Sequence, residues 1–294
     1  MPFIVAADGT ELAYESYGQG DPVLFCNGVM LSTNMWDYQV PFLVDRGYRC
    51  VLHDWRGHGR SDRPSSGYDM ATLAADLDTL IEELDLHNVR LVGHSGGAAV
   101  AARYLAEHAS KRVHNLTLLS PMLPFLKRTP DNPGGLPEEL FDGLMSALRT
   151  DRTRWLADQQ QLFFASHLKQ VSPNLIDWTR RDCEAASMYA VLALQRHVFH
   201  DDNRRFVDEI DVPTLIMHGA ADFSAPVEVC GRPTAAAIAH SKYVEFPDAG
   251  HGMYSSHHES VNNELLRFFG HVLGKLGAAN RTEAVARARE LNLL

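Results

Sequence analysis

Cysteine is scarce in this 294-residue chain, and Cys26, Cys50, Cys183 and Cys230 lie far apart with no C-x-x-C pair among them. Neither a zinc site nor a disulfide framework is indicated. Cys26 and Cys50 fall inside apolar runs and read as small buried fillers. Long apolar runs are missing as well. No stretch approaches the roughly 20 apolar residues of a membrane helix, so no membrane partner is expected. Positive charge is in deficit: 27 Lys and Arg stand against 37 Asp and Glu, a formal charge of −10. That balance argues against a surface built to hold nucleic acid. The stretch "MPFIVAADGTELAYESYG" lacks a basic segment followed by an apolar core, which adds up to an expected cytoplasmic location. What the chain has is an ordinary apolar share, 45%, enough to bury a large core in one large or two small domains.

Eight apolar runs have strand length: "FIVAA", "ELAYESYG", "PVLFCNG", "RCVLHDW", "VRLVGHS", "VHNLTLLSP", "PTLIMHG" and "SKYVEFPD". From the third onward most are continuous, as strands buried on both faces of a parallel sheet must be. The first two alternate more and are joined by "ADG", so an antiparallel hairpin is expected at one edge. Helical patterns lie between the strands, as in "DMATLAADLDTLIEELDL", which is apolar at Met70, Leu73, Leu77, Leu80, Ile81 and Leu84. Strand and helix in alternation predict a mostly parallel, doubly wound, eight-stranded α/β sheet. Between about Pro121 and Asp211 the alternation breaks into helical, aromatic-rich text. Because strands resume at Val212, this insertion after the sixth strand reads as a helical cap over the carboxyl edge of the sheet, where α/β sheets bind ligands. The expected organisation is a core of residues 1–120, a cap of 121–211, a second core part of 212–276 and an amphipathic terminal helix of 277–294.

The candidate chemistry sits at strand ends. In "VRLVGHSGGAAVAARYLAEH" a serine, Ser95, stands in a G-x-S-x-G turn between strand and helix. That turn is either a glycine-shaped helix start or an elbow that presents a nucleophile. A serine hydroxyl is a weak nucleophile at neutral pH and needs a base and an orienting acid. Among 15 histidines, His251 in "FPDAGHGMYSS" follows the last strand in a glycine-flanked loop and ranks first. His94 adjoins the serine but should point away from it. His218 ends a strand, where it can hydrogen-bond loop backbone, and His257 with His258 reads as a solvated helix start. For the acid, Asp222 in "HGAADFSAP" gives the chain order Ser, Asp, His expected of this arrangement; Asp248 is its rival, with shaping the "PDAGH" turn as the alternative task. The oxyanion donors should be the backbone N–H of Gly96 and of Val29, which Gly28 allows to bend inward.

These segments resemble the α/β-hydrolases. "FCNGVMLSTNMW", "HDWRGHGRSD", "GYDMATLAADLDTLIEELDL", "LVGHSGGAA", "LIMHGAADFSAP" and "PDAGHG" carry the likeness in the family's order over about residues 10–270. Within the superfamily the likeness is greatest to the cofactor-free bacterial haloperoxidase, perhydrolase and arylesterase group. The resemblance implies an α/β-hydrolase fold, a Ser95–Asp222–His251 triad, a Val29 and Gly96 oxyanion hole, and neither cofactor nor metal. It also implies that "DWRGHGRSD" is a structural loop without a catalytic role. Two departures stand out. Asn27, Gly28, Val29 and Met30 replace the usual histidine, glycine, aromatic residue and proline, and Met30 counts against peroxide chemistry. Gly96 replaces a larger residue and should widen the pocket floor. A serine at position 95 excludes dehalogenase and epoxide hydrolase routes, which need a carboxylate nucleophile.

The expected activity is serine hydrolysis of a small-molecule carboxylic ester or lactone. Perhydrolysis or halogenation, carbon–carbon bond hydrolysis, and ligand sensing by an intact triad are the alternatives. Candidate pocket residues are Met30, His94, Met122, Phe125, Trp155, Phe163 and Met253, with the cap's own core as the competing role for its aromatics. The tail "HVLGKLGAANRTEAVARARELNLL" resembles the end of the helix-turn-helix domain of quorum-sensing-type regulators. It covers less than half such a domain and lacks the preceding helix, so nucleic acid is not an expected partner. An amphipathic helix docked on its own sheet or on a second subunit of a homo-oligomer is the plainer reading.

Overall fold

The computed structural model describes residues 2–108 and 111–274. Strands β1 (Phe3–Val5), β2 (Glu11–Tyr17), β3 (Asp21–Cys26), β4 (Tyr48–His53), β5 (Val89–His94), β6 (Val113–Leu119), β7 (Thr214–Gly219) and β8 (Lys242–Phe246) form one sheet in the order β1-β2-β4-β3-β5-β6-β7-β8. The first two strands make the expected antiparallel edge hairpin, and β2 also runs antiparallel to β4. From β4 onward every pairing is parallel.

The side-chain alternation of each central strand feeds two cores. Leu24, Val51, Leu91, Leu116 and Ile216 face one layer, while Val23, Phe25, Leu52, Val92, Leu215 and Met217 face the other. Continuous apolar runs result because both faces are covered. Helices α1 (Val40–Val44), α2 (Met70–Glu83) and α3 (Gly96–His108) provide part of that cover. For α2 the reason is legible: Asp69 caps it by accepting the N–H of Thr72 at 2.9 Å, and Met70, Leu73, Leu77, Leu80 and Ile81 are buried along one stripe. Each such side chain contributes about 2 kcal/mol by leaving water, so Leu77→Asp would break the packing. The predicted stripe overran by one position, since Leu84 ends the helix as its C-cap.

Between β6 and β7 the chain forms α4 (Glu138–Thr150), α5 (Arg152–Phe164), α6 (Pro173–Ala185), α7 (Met188–His200) and α8 (Arg204–Asp208). Met30, from the loop after β3, packs among Leu148, Leu156, Ala186 and Val191 of this insertion. Helices α9 (Gly231–Ala237), α10 (Met253–Ser256) and α11 (His258–Gly274) complete the fold. Among the described residues no helix is long and apolar enough to cross a membrane. The predicted terminal helix of 277–294 lies outside the described residues.

Candidate active site

Ser95 follows β5 directly and begins the turn into α3 with φ +57°. An L-residue pays for that left-handed conformation, and the glycines two residues to either side are tightly packed. A Cβ on Gly93 would lie 2.6 Å from the Gly97 carbonyl oxygen, and one on Gly97 would lie 2.4 Å from that of Asn27. Both glycines are therefore fixed by close approach of helix to strand. The turn presents the Ser95 hydroxyl, with the amide of Gly96 among the first-turn donors that lack an intrahelical acceptor.

His251 stands over this hydroxyl. Its Nε2 lies 2.9 Å from Ser95 Oγ, and its Nδ1 lies 2.8 Å from Asp222 Oδ2. The carboxylate accepts from Nδ1–H, which leaves Nε2 free to accept the serine proton. Asp222 Oδ1 also accepts the N–H of Ala225 at 2.8 Å. Burial pushes the Asp222 carboxyl up, but the His251 ring, the hydrogen bond from it, His218 and the Ala225 amide outweigh burial and hold it below its ordinary value. Ser95 and His251 are only 5% and 4% exposed, so the array is shielded from bulk water.

The rival residues are elsewhere. Asp248 pairs with His257 at 3.3 Å and is half exposed, and His257 is buried, so it is not the solvated residue expected. His258 stacks on Tyr38. His94 is fully buried, and its Nε2–H donates to the His251 carbonyl at 3.1 Å. Burial lowers its pKa to about 3, so it is a neutral brace for the loop that carries His251. His218 donates to the Ala225 carbonyl at 2.7 Å, with the same nitrogen 3.5 Å from Asp222 Oδ2.

The turn after β3 closes through the N–H of Leu31 on the carbonyl of Gly28 at 3.2 Å. Met30 occupies its third position with φ +76°, where a type II turn ordinarily takes glycine. The cost, about 1 kcal/mol, is offset by a hydrogen bond from the Met30 N–H to His58 Nε2 at 3.1 Å. His58 is fully buried, neutral with its pKa lowered to about 4 by burial, and its Nδ1–H donates to the Arg56 carbonyl. Asp54 accepts the N–H of Thr33 at 2.8 Å, and Asn27 holds the Trp36 indole at 2.8 Å. The "DWRGHGRSD" loop thus shapes the turn bearing Val29, a role the sequence did not disclose. From the insertion, Asp182 reaches the same segment by accepting the N–H of Ser32 at 2.8 Å.

Two pocket expectations need correction. Gly96 does not open the floor, because a Cβ there would meet Val29 Cγ2 at 2.9 Å and Val198 Cγ2 at 3.2 Å. His94 and Met253 are wholly buried, the latter in the core layer of β7, so neither offers surface to a ligand in this structure. Phe125 lies under the Arg204 guanidinium, and Met122 packs in the α3 core layer with its N–H 3.3 Å from the Ser95 carbonyl. Met30 and Trp155 share the apolar cluster between insertion and turn. Phe163 sets its ring edge-on to His251 at 5.4 Å. Clefts of about 460 Å³ between α5 and α6 and about 260 Å³ beside α4 and α7 do not include Ser95 in their linings. No group of His, Cys, Asp and Glu among the described residues is arranged to hold a metal ion.

Residues 21–257 match the family with the α/β hydrolase fold, and the chain belongs to it. It is 37% identical to a non-heme haloperoxidase of Rhodococcus erythropolis over 91% of this chain and 99% of the relative. It is 32% identical to the bifunctional esterase/perhydrolase DCH of Acinetobacter calcoaceticus over the same shares. The solved esterase of Exiguobacterium antarcticum superposes with a TM-score of 0.86 at 33% identity, covering 90% of this chain and 98% of that one.

Proposed function

We propose that the protein is a serine hydrolase of carboxylic esters or lactones that works through an acyl-enzyme. The observation that carries the reading is the continuous array from Asp222 through His251 to Ser95, with contacts of 2.8 and 2.9 Å. His251 takes the Ser95 proton as the oxygen attacks the carbonyl, and Asp222 stabilises the imidazolium. The amides of Gly96 and Val29 receive the oxyanion, each worth about 3 kcal/mol of barrier. His251 then protonates the leaving alcohol and activates water to release the acid. The helices of residues 121–211 act as the cap, and its apolar cluster around Met30, Trp155 and Val191 suits an apolar acyl group once substrate parts it.

The test is hydrolysis of p-nitrophenyl esters of increasing acyl length by the native protein and by Ser95→Ala. A length optimum that vanishes in the variant supports the reading; equal rates for both on every ester contradict it. Perhydrolysis is the second reading, favoured by the haloperoxidase and esterase/perhydrolase relatives. Hydrogen peroxide added to the ester assay separates the two: peracid formed at the expense of carboxylic acid favours it, and its absence removes it.

A further inference from the structure

We infer that Asp182, on cap helix α6, is a positioning residue for the oxyanion turn, so that seating the cap and arming the site are one event. The inference rests on the hydrolase reading above. Asp182 Oδ2 accepts the N–H of Ser32 at 2.8 Å, and its Oδ1 accepts the Ser32 hydroxyl at 2.5 Å and the Asn34 side-chain amide at 3.3 Å. All three donors belong to the segment that follows the Gly28–Leu31 turn. The carboxylate is directed entirely at that segment by these contacts, and Ser32 is itself buried. Its hydroxyl also accepts the Asn34 N–H at 3.3 Å, which starts the short helix of Thr33–Trp36.

A second contact binds the same turn to the cap. Met30 is held at φ +76° and sends its side chain among Leu148, Leu156, Ala186 and Val191. Val29, whose amide is the proposed second oxyanion donor, sits between the Gly96 backbone and this cluster. His58 and Asp54 secure the turn from the core side, and Asp182 with the Met30 cluster secures it from the cap side. Lifting the cap removes the second pair of restraints and frees a strained turn to relax, which misaims the Val29 N–H. Ester binding and oxyanion stabilisation are thereby separated: losing Asp182 should reach the transition state more than the bound substrate.

The experiment compares the native protein, Ser32→Ala, Asp182→Asn, Asp182→Ala and the Ser32→Ala/Asp182→Ala double variant on p-nitrophenyl butyrate, together with labelling of Ser95 by a p-nitrophenyl alkylphosphonate. The phosphonate reads the oxyanion donors without requiring turnover. Expected for Asp182→Ala is a 10- to 100-fold loss in kcat with KM within twofold, a parallel loss in labelling rate, partial rescue in Asp182→Asn, and a double variant no worse than Asp182→Ala. Unchanged kcat, a loss confined to KM, or losses that multiply in the double variant would overturn the inference. If Asp182→Ala does not fold, Ser32→Ala decides, because it removes only a hydroxyl: a several-fold drop in kcat at unchanged Tm supports the coupling and unchanged kcat refutes it. A native protein that neither turns over esters nor is labelled at Ser95 overturns the hydrolase reading instead, and this inference with it.

Discussion

Asp222 has two carboxylate oxygens and two tasks. One receives the His251 Nδ1–H at 2.8 Å, and the other receives the Ala225 N–H, which fixes the rotation of the carboxylate. Asp222→Asn should lower kcat by about 10⁴-fold, because an amide favours the wrong tautomer of His251. Asp248→Asn should leave kcat within about twofold of native, since its partner is His257. Steady-state kinetics of the two variants checks both. The chain order alone left these two aspartates in competition. Separating them needed the three-dimensional path of the loop after β8, which turns Asp248 outward.

At the scale of elements, the strand-to-helix elbow and the turn after β3 are held by close backbone approach. A Cβ at position 97 would fall 2.4 Å from the Asn27 carbonyl oxygen, and one at position 28 would fall 2.6 Å from His94 Nδ1. Gly97→Ala should therefore destabilise the fold by about 2 kcal/mol or more, read as a lowered midpoint in urea. Gly28→Ala should displace His94, which braces the His251 loop, and cost activity more than stability. Strands and α2 were legible in the sequence because two-sided burial writes continuous apolar runs and a cap with a stripe writes a helix. The supports of the turn after β3 were not: Asp182 and Ser32 are 150 positions apart, and no local pattern marks a carboxylate whose donors lie on another element. Gly96 misled for a related reason, because the space beside a glycine is set by whatever packs there, here Val29 and Val198.

For the whole molecule, burial of neutral histidines predicts acid sensitivity. His53 and His58 have pKa values lowered to about 4, and His94 to about 3, in each case chiefly by burial. Unfolded, each titrates near 6.5. Below that value the unfolded chain binds protons that the folded protein refuses, so stability is intact above about pH 6.5 and falls as the pH drops toward 4. The three together should cost about 4 kcal/mol per pH unit near pH 5. Urea unfolding at pH 7, 6 and 5 tests this, and a flat profile would mean that these rings are protonated in the folded state.

The serine nucleophile is the claim on which the rest depends, and trapping the intermediate tests it most directly. The native protein is mixed with p-nitrophenyl butyrate, quenched in acid within a turnover, digested and weighed. The account predicts one acyl group on the peptide that carries Ser95, and none on the corresponding peptide of Ser95→Ala. Ester turnover that persists in Ser95→Ala, or turnover by the native protein with the acyl group on another residue, would contradict it.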